Sequence, residues 1–328
     1  MTDLWIYQLG VALGSERVQA ADLVEQYGPV REGFLERTGF TNLYRVGQNE
    51  TGLSLAVDAI DAVERQWWVE SLDGLVYVTS TGDLVAPGNS HLLQSALGLK
   101  TNMLLLDLND ACTGFVKSLH LTASLLDSGA ASTVLLVLSD TYSKLYAASE
   151  LKVSPLFSDG ASAVVVSNRK LPNAPESVPL RHWKILSTWF LSEGGRAADL
   201  SISRVDEHLP LGALEMNGGG VFNFVLRHLD SCVGSLCDDA GTPLSGVDEW
   251  YVHQGSRAVV TAVEKTLRVS PGALFRAGDY GNTVGSSLPF QLFDHRERSS
   301  QAKTLGLLAF GVGLTMAGML VKQLPDRD

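Results

Sequence analysis

Two stretches of this chain, LDGLVYVTST (72–81) and VDEWYVHQGS (247–256), follow one plan: an acidic start, an apolar run and a polar end. The correspondence extends further. ALFRAGDYGNTVGSSLPFQLF (273–293) parallels the segment around Cys112, with a strand-like start, a polar turn and a helix opening. AFGVGLTMAGMLV (309–321) parallels LFSDGASAVVV (156–166), small residues leading into a buried strand. The period is far too long for a solenoid and describes a duplicated domain, two tightly packed α/β halves. The polar, proline-bearing stretch SNRKLPNAPESVPL (167–180) provides the join. The expected division is 1–170, carrying Cys112, and 171–328, carrying His253 and Asn282.

Within the halves, short apolar runs alternate with helical patterns. Strands are expected at LVYVTST (75–81), MLLLDL (103–108), TVLLVLSD (133–140) and ASAVVVS (161–167). A helix following Cys112 places Val116, Leu119, Ala123 and Leu126 on one stripe and stops near Gly129. The uncharged stretch LGLLAFGVGLTMAGMLV (305–321) is short for a membrane span and interrupted by glycines, so it reads as a buried strand hairpin.

Composition narrows the function classes. A 45% hydrophobic, 19% charged chain of 328 residues suits a globular enzyme with a large core. A net charge of −11 repels nucleic acid and anionic membranes on average. The N-terminus lacks a basic segment followed by a long apolar run, so no signal peptide is read, and three cysteines make no disulfide framework. A reducing cytoplasm is the expected location. No metal cluster, phosphate loop or dinucleotide fingerprint is evident.

Three residues carry the chemistry. Cys112, in LNDACTGFVKSLH (108–120), sits at a helix start, where free N–H groups and the macrodipole lower a thiol's pKa. It reads either as this activated nucleophile or as a small buried hydrophobe. Cys232 and Cys237 fall in a helical pattern without zinc or redox spacing and read as core. His253 ends an apolar strand at a polar loop, where α/β proteins expose working residues. The contexts of His91, His120, His182, His208, His228 and His295 say less. Asn282, in DYGNTVGSS, is ordinary turn chemistry by type, but it holds in the second half the place of Cys112 in the first.

Taken together, LNDACTGF, LFSDGASAVVV, EMNGGGVFNFVLRHL, WYVHQGSRAV, YGNTVGSSLPFQL, AFGVGLTMAG and the N-terminal ERTGF (36–40) resemble the β-ketoacyl-acyl-carrier-protein synthase III branch of the thiolase-like condensing enzymes. The resemblance runs, in order, over nearly the whole chain. It implies a thiolase-like α/β fold of two pseudo-symmetric halves in five αβαβα layers. It also implies an acyltransferase of fatty-acid or specialised polyketide-type biosynthesis. Cys112 would take an acyl group from a thioester, with the backbone N–H groups of Cys112 and Val312 as oxyanion donors. Decarboxylation of a malonyl-type thioester would give an enolate stabilised by neutral His253 and Asn282. Arg37, Phe157 and Arg257 would line the substrate path. No cofactor or metal is implied; the partners are acyl-CoA or acyl carrier protein and a second copy of the chain in a homodimer. In that dimer Val85 or Ala86 would cap the partner's tunnel and permit a wider or longer acyl group.

Departures from the resemblance are equally specific. The clamp that stacks adenine between a tryptophan and an arginine has Gly33 and Leu151 as its nearest counterparts here, with Lys152 adjacent. Ala258 stands where an arginine is usual, with Arg257 one position early. Weak or rearranged adenine recognition is expected, which favours a carrier-protein donor. Arg257, Lys265 and Arg268 read as a solvated charged face or as a docking face for an acidic carrier. Acyl transfer to an oxygen or nitrogen nucleophile, or a non-catalytic supporting subunit, remain as alternatives.

Overall fold

Nine strands form one continuous sheet in the computed structural model, which describes residues 3–203, 211–294 and 304–325. In chain order they are β1 (Asp3–Leu13), β2 (Gly74–Val78), β3 (Leu104–Leu108), β4 (Thr133–Asp140), β5 (Gly160–Ser167), β6 (Leu180–Ser192), β7 (Glu249–Val252), β8 (Thr304–Gly311) and β9 (Thr315–Gln323). Across the sheet they run β3-β2-β4-β5-β1-β6-β9-β8-β7. The apolar runs become strands because both their faces are covered; every residue of β2, β4 and β5 is buried. The glycine-rich stretch near the C-terminus is the β8–β9 hairpin, and no helix among the described residues is long and apolar enough to cross a membrane.

The pairing pattern exposes the duplication. β2 runs parallel to β4, and β7 parallel to β8. β4 is antiparallel to β5, and β8 to β9. β5 is antiparallel to β1, and β9 to β6. The halves join where β1 meets β6, in register from Asp3–Lys184 to Tyr7–Leu180. Residue 170 falls in the connection between β5 and β6.

Helices complete the layers. Outer helix α1 (Gly52–Asp61) packs on β1 and β5. Central helix α2 (Gly114–Ser128) touches β2 and β4 of one half and β8 and β9 of the other. On the far side, α3 (Gly218–Ala240) covers β6 and β9, and α4 (Arg257–Leu267) packs on α3. The second central helix, α5 (Ser287–Asp294), lies against β1 and β7. The result is the expected thiolase-like αβαβα stack.

One expectation fails. The strand-like start of ALFRAG forms no strand, so among the described residues β3 has no counterpart in the second half. Side chains take the hydrogen bonds a neighbouring strand would have taken. Buried Glu264 accepts from the N–H of Gly272 and Leu274 at 2.9 and 2.8 Å. Gln254 donates to Leu274 O at 2.9 Å and accepts from Arg276 N at 2.8 Å. With those groups satisfied, the backbone has no need of a ladder.

The stripe on α2 is buried as the spacing requires, and Gly129 ends the helix in a left-handed conformation at φ 72°. Leu119, fully buried between the halves, belongs to a cluster containing Val76, Ala309 and Met319. Leu119→Ala is expected to cost about 2–5 kcal/mol in denaturant unfolding; a change below about 1 kcal/mol would contradict this packing.

Candidate active site

The loop ahead of α2 is built around Asp110. Its Oδ1 accepts from Ala111 N at 3.0 Å and from Thr113 Oγ1 at 2.7 Å, and its Oδ2 pairs with Lys117 Nζ at 2.7 Å. Cys112 sits inside this turn, one residue before the cap position of α2, with 6% of its surface exposed. Gly311, at the end of β8, comes directly against it. A Cβ on Gly311 would lie 2.7 Å from Cys112 Cβ and 3.0 Å from Sγ, so only glycine permits this approach. Val312 follows in the β8–β9 turn, and its carbonyl accepts from Thr315 Oγ1 at 2.9 Å.

His253 leaves β7 with its N–H bonded to Leu308 O at 2.8 Å, and its ring meets Phe310 edge-on at 5.5 Å between centroids. Asn282 is held by the backbone on both sides. Its N–H donates to Leu156 O at 3.0 Å and its carbonyl accepts from Ser158 N at 2.9 Å, a bridge that places it beside Phe157. Its Oδ1 accepts from Val284 N at 2.9 Å, so the carboxamide presents its donor end, Nδ2. Gly285 seats this turn against the cysteine loop: a Cβ there would be 3.1 Å from Ala111 O.

Cys112, His253 and Asn282 line one cavity of about 620 Å³, together with Phe157, Phe310 and Gly311. These six form a buried floor. Exposed Arg31, Arg37 and Lys152 stand at the mouth, and among the described residues no carboxylate lines the cavity. Among the described histidines, only His253 reaches it. His182 stacks on Trp5 and bonds Pro325 O, and His228 pairs with Glu193. His208 and His295 lie outside the described residues. Cys232 and Cys237 are buried on α3, and no group of His, Cys, Asp or Glu among the described residues is arranged to hold a metal.

The electrostatics correct the expectation of an activated thiolate. Burial pushes the Cys112 thiol well above its ordinary range, and the nearby carboxyls of Asp140 and Asp110 push it further. Those effects outweigh the helix end, which lies two residues away. At rest Cys112 is a neutral thiol. Burial also pushes the His253 imidazole down to about 3, so it too is neutral. The site at rest holds no thiolate–imidazolium pair.

Other expectations fare differently. Arg37 and Phe157 are in the lining, but Arg257 is not: its guanidinium lies 5.0 Å over the Phe275 ring. Arg268 lies one residue past α4 and lines a separate cleft. Val85 is 83% exposed on the loop before helix Asn89–Leu97, with Ala86 beside it. Gly33 and Leu151 do not face the cavity, whereas Phe34 and Lys152, one position after each, do. Arg31, Phe34, Met216, Phe222 and Phe310 were not singled out by sequence. Only the first two had a signal, their closeness to Arg37 in REGFLERTGF.

Two family models, for 3-oxoacyl-[acyl-carrier-protein] synthase III and for its C-terminal part, match residues 106–178 and 237–323, segments that contain all six floor residues. The chain is 27% identical to a β-ketoacyl-[acyl-carrier-protein] synthase III of Coxiella burnetii over 331 aligned residues, covering 98% of this chain and all of the relative. A relative of the same name from Acholeplasma laidlawii is 26% identical, covering 88% of this chain and 89% of its own. A solved 3-oxoacyl-(acyl-carrier-protein) synthase III superposes with a TM-score of 0.81 at 29% identity, covering 97% and 99% of the two chains. Together these likenesses identify a thiolase-fold condensing enzyme similar to synthase III. It is an acyltransferase of the thiolase fold.

In this condensing enzyme, unliganded Cys112 is expected to react with iodoacetamide at least about tenfold more slowly than free cysteine at pH 8, since each unit of raised pKa removes about tenfold of the thiolate. Peptide-level mass spectrometry separates it from Cys232 and Cys237. Alkylation at the rate of free cysteine would mean a resting thiolate.

Proposed function

We propose that the Cys112 cavity performs a decarboxylative Claisen condensation in fatty-acid or polyketide-type biosynthesis. The Cys112 sulfur attacks the carbonyl of an acyl thioester. The S–H proton ends on the departing thiol, and the acyl group remains on sulfur. A malonyl-type thioester then loses carbon dioxide, and the resulting enolate carbon attacks the acyl-Cys112 carbonyl. The C–S bond breaks, a β-ketoacyl thioester leaves, and the sulfur regains a proton from solvent. Neutral His253, through an N–H, and Asn282, through Nδ2, hydrogen-bond the enolate oxygen. The N–H groups of Cys112 and Val312 serve the oxyanion on the acyl carbon. The observation that carries this reading is the convergence of Cys112, His253 and Asn282 on one cavity floor. Neutrality suits the two donors: a cationic imidazole would lose a proton to the enolate, whereas the depressed His253 keeps its N–H and donates.

The substrates are thioesters on coenzyme A or acyl carrier protein. Arg31, Arg37 and Lys152 at the mouth favour a phosphate-bearing pantetheine arm, against a chain carrying −11 overall. Phe34 supplies an aromatic face and Lys152 a charge beside the expected clamp positions. A homodimer is supported by edge strand β3, whose Leu104, Leu105, Leu106 and Leu108 are only partly covered, and by exposed Leu84 and Val85. In it, Val85 or Ala86 faces the partner's cavity. We take residues 1–170 and 171–328 as the two functional halves and place the enzyme in the cytoplasm.

Incubation with acyl and malonyl thioesters is expected to yield carbon dioxide, a β-keto product and an acyl adduct absent from Cys112→Ala by intact-protein mass spectrometry. His253→Ala and Asn282→Ala should each lower condensation by about 10²–10³ while the adduct still forms. An adduct transferred to an alcohol or amine without carbon dioxide would establish O- or N-acylation instead. No adduct with any thioester would leave a supporting subunit. Sedimentation analysis should show a dimer of the 35.2 kDa chain; a monomer would remove the shared cap.

A further inference from the structure

The residue after His253 is Gln254, a carboxamide with no exposed surface. Both its donor end and its acceptor end are fully used. Nε2 donates to Val252 O at 2.8 Å and to Leu274 O at 2.9 Å, and Oε1 accepts from Arg276 N at 2.8 Å and Ala277 N at 3.3 Å. Its backbone N–H donates at 2.9 Å to the Oγ of Ser287, the first residue of α5. Gln291, further along α5 and equally buried, places its Oε1 3.3 Å from the same Nε2. Its own Nε2 donates to Val252 O at 2.9 Å and to Ser287 O at 2.8 Å. These contacts grip the Asn282 turn from both ends. Upstream, Ala277 O accepts at 2.8 Å from the N–H of Gly281, directly before Asn282. Downstream, Val284 N donates to Asn282 Oδ1 and Ser286 N to Thr283 O, which leads straight into Ser287. The His253 ring has less support of its own. Its buried Nδ1 has no hydrogen-bond partner among the described residues, so Phe310 and the backbone around residue 253 set its place.

We infer that Gln254, backed by Gln291, is the positioning residue that holds His253 and Asn282 at the spacing both need to reach one enolate oxygen. The inference rests on the reading of those two residues as the enolate's hydrogen-bond donors. Two donors serve one oxygen only if each lies within about 3 Å of the position it will occupy. His253 and Asn282 arrive on different segments, one at the end of β7 and the other in the turn before α5. A slip of about 1 Å between those segments would take one donor out of reach, a displacement that can cost about 10² in rate. Gln254 bonds the strand end and both flanks of the turn at once. An amide suits this role, since the place calls for hydrogen bonds both given and received. A carboxylate of the same shape would set an oxygen against the Val252 and Leu274 carbonyls. The cysteine loop is held separately, by Asp110 on Ala111, Thr113 and Lys117, and by Thr113 Oγ1 3.1 Å from Thr315 Oγ1. Gln254 therefore acts on the condensation step and leaves acyl loading alone.

The test reads the two half-reactions apart, with acyl and malonyl thioesters of coenzyme A and of acyl carrier protein as probes. Loading of Cys112 is followed by intact-protein mass spectrometry, and condensation by release of carbon dioxide and β-keto product. Gln254→Glu and Gln254→Met, which keep the length of the side chain, should lower kcat for condensation at least about tenfold while loading stays within about twofold of wild type. Should neither fold by near-ultraviolet circular dichroism, Ser287→Ala removes only the downstream tie and should lower condensation at least about threefold with loading unchanged. In a His253→Ala background the loss from the Gln254 or Ser287 variant should shrink to below about twofold, because spacing matters only while both donors are present. A smaller loss of condensation in folded protein overturns the inference. So does an equal fall in loading and condensation, or an undiminished loss in the His253→Ala background, since each describes a merely structural glutamine. These outcomes leave His253 and Asn282 as the enolate donors; wild-type condensation by His253→Ala and Asn282→Ala removes that reading and this one with it.

Discussion

The antiparallel pairing of β1 with β6 is the contact on which the rest of the molecule depends. Each half carries its own strand order, and each is bounded by one of these two strands. Joining them in register sets one half's central helix against the other half's sheet, so α2 touches strands from both. The cysteine loop precedes α2, and the Asn282 turn precedes α5. Once those helices share the central layer, their leading ends meet. His253 and Gly311 arrive from adjacent parallel strands, β7 and β8, whose ends lie side by side. The cavity floor is thus a consequence of symmetry in the sheet, fixed by hydrogen bonds some distance from it.

Dryness then sets the chemistry. Cys112, His253 and Asn282 are each no more than 6% exposed, and burial favours the uncharged form of both titratable groups. A neutral thiol beside a neutral imidazole is a weak nucleophile at rest. In the proposed reaction it would attack a substrate carbonyl, which supplies a place for the developing negative charge. The carboxyl of Asp140 works in the same direction by opposing a thiolate. Positive charge is kept to the mouth, where Arg31, Arg37 and Lys152 meet solvent and where a phosphate-bearing arm would pass. The division between a charged mouth and an uncharged floor separates capture from reaction.

Much of this was legible in the sequence because it is local. β4 spans Thr133–Asp140, the run TVLLVLSD itself, and α2 ends at the glycine its pattern required. β1 and β6 were not legible as strands. β1 holds Gln8 and Gly10 within its apolar run, and β6 mixes His182 and Lys184 with tryptophans, so neither shows a clean period of two. The ALFRAG segment misled for the opposite reason. Its composition suits a strand, but side chains distant in sequence, Glu264 and Gln254, claim its backbone groups. The Cys112 thiol misled as well, because proximity to a helix end can be read from residue order whereas burial cannot.

The sequence by itself determined the duplication, the three residues at equivalent or neighbouring points of the two halves, and the chemical family to which their motifs point. Those properties are written in residue type and spacing along the chain. Only the tertiary structure decided the charge state of the site, the exclusion of Arg257 from the cavity and the shift of the mouth to Phe34 and Lys152. Each of these depends on which surfaces lose contact with water and which side chains meet across long sequence separations, and neither is a property of any short segment.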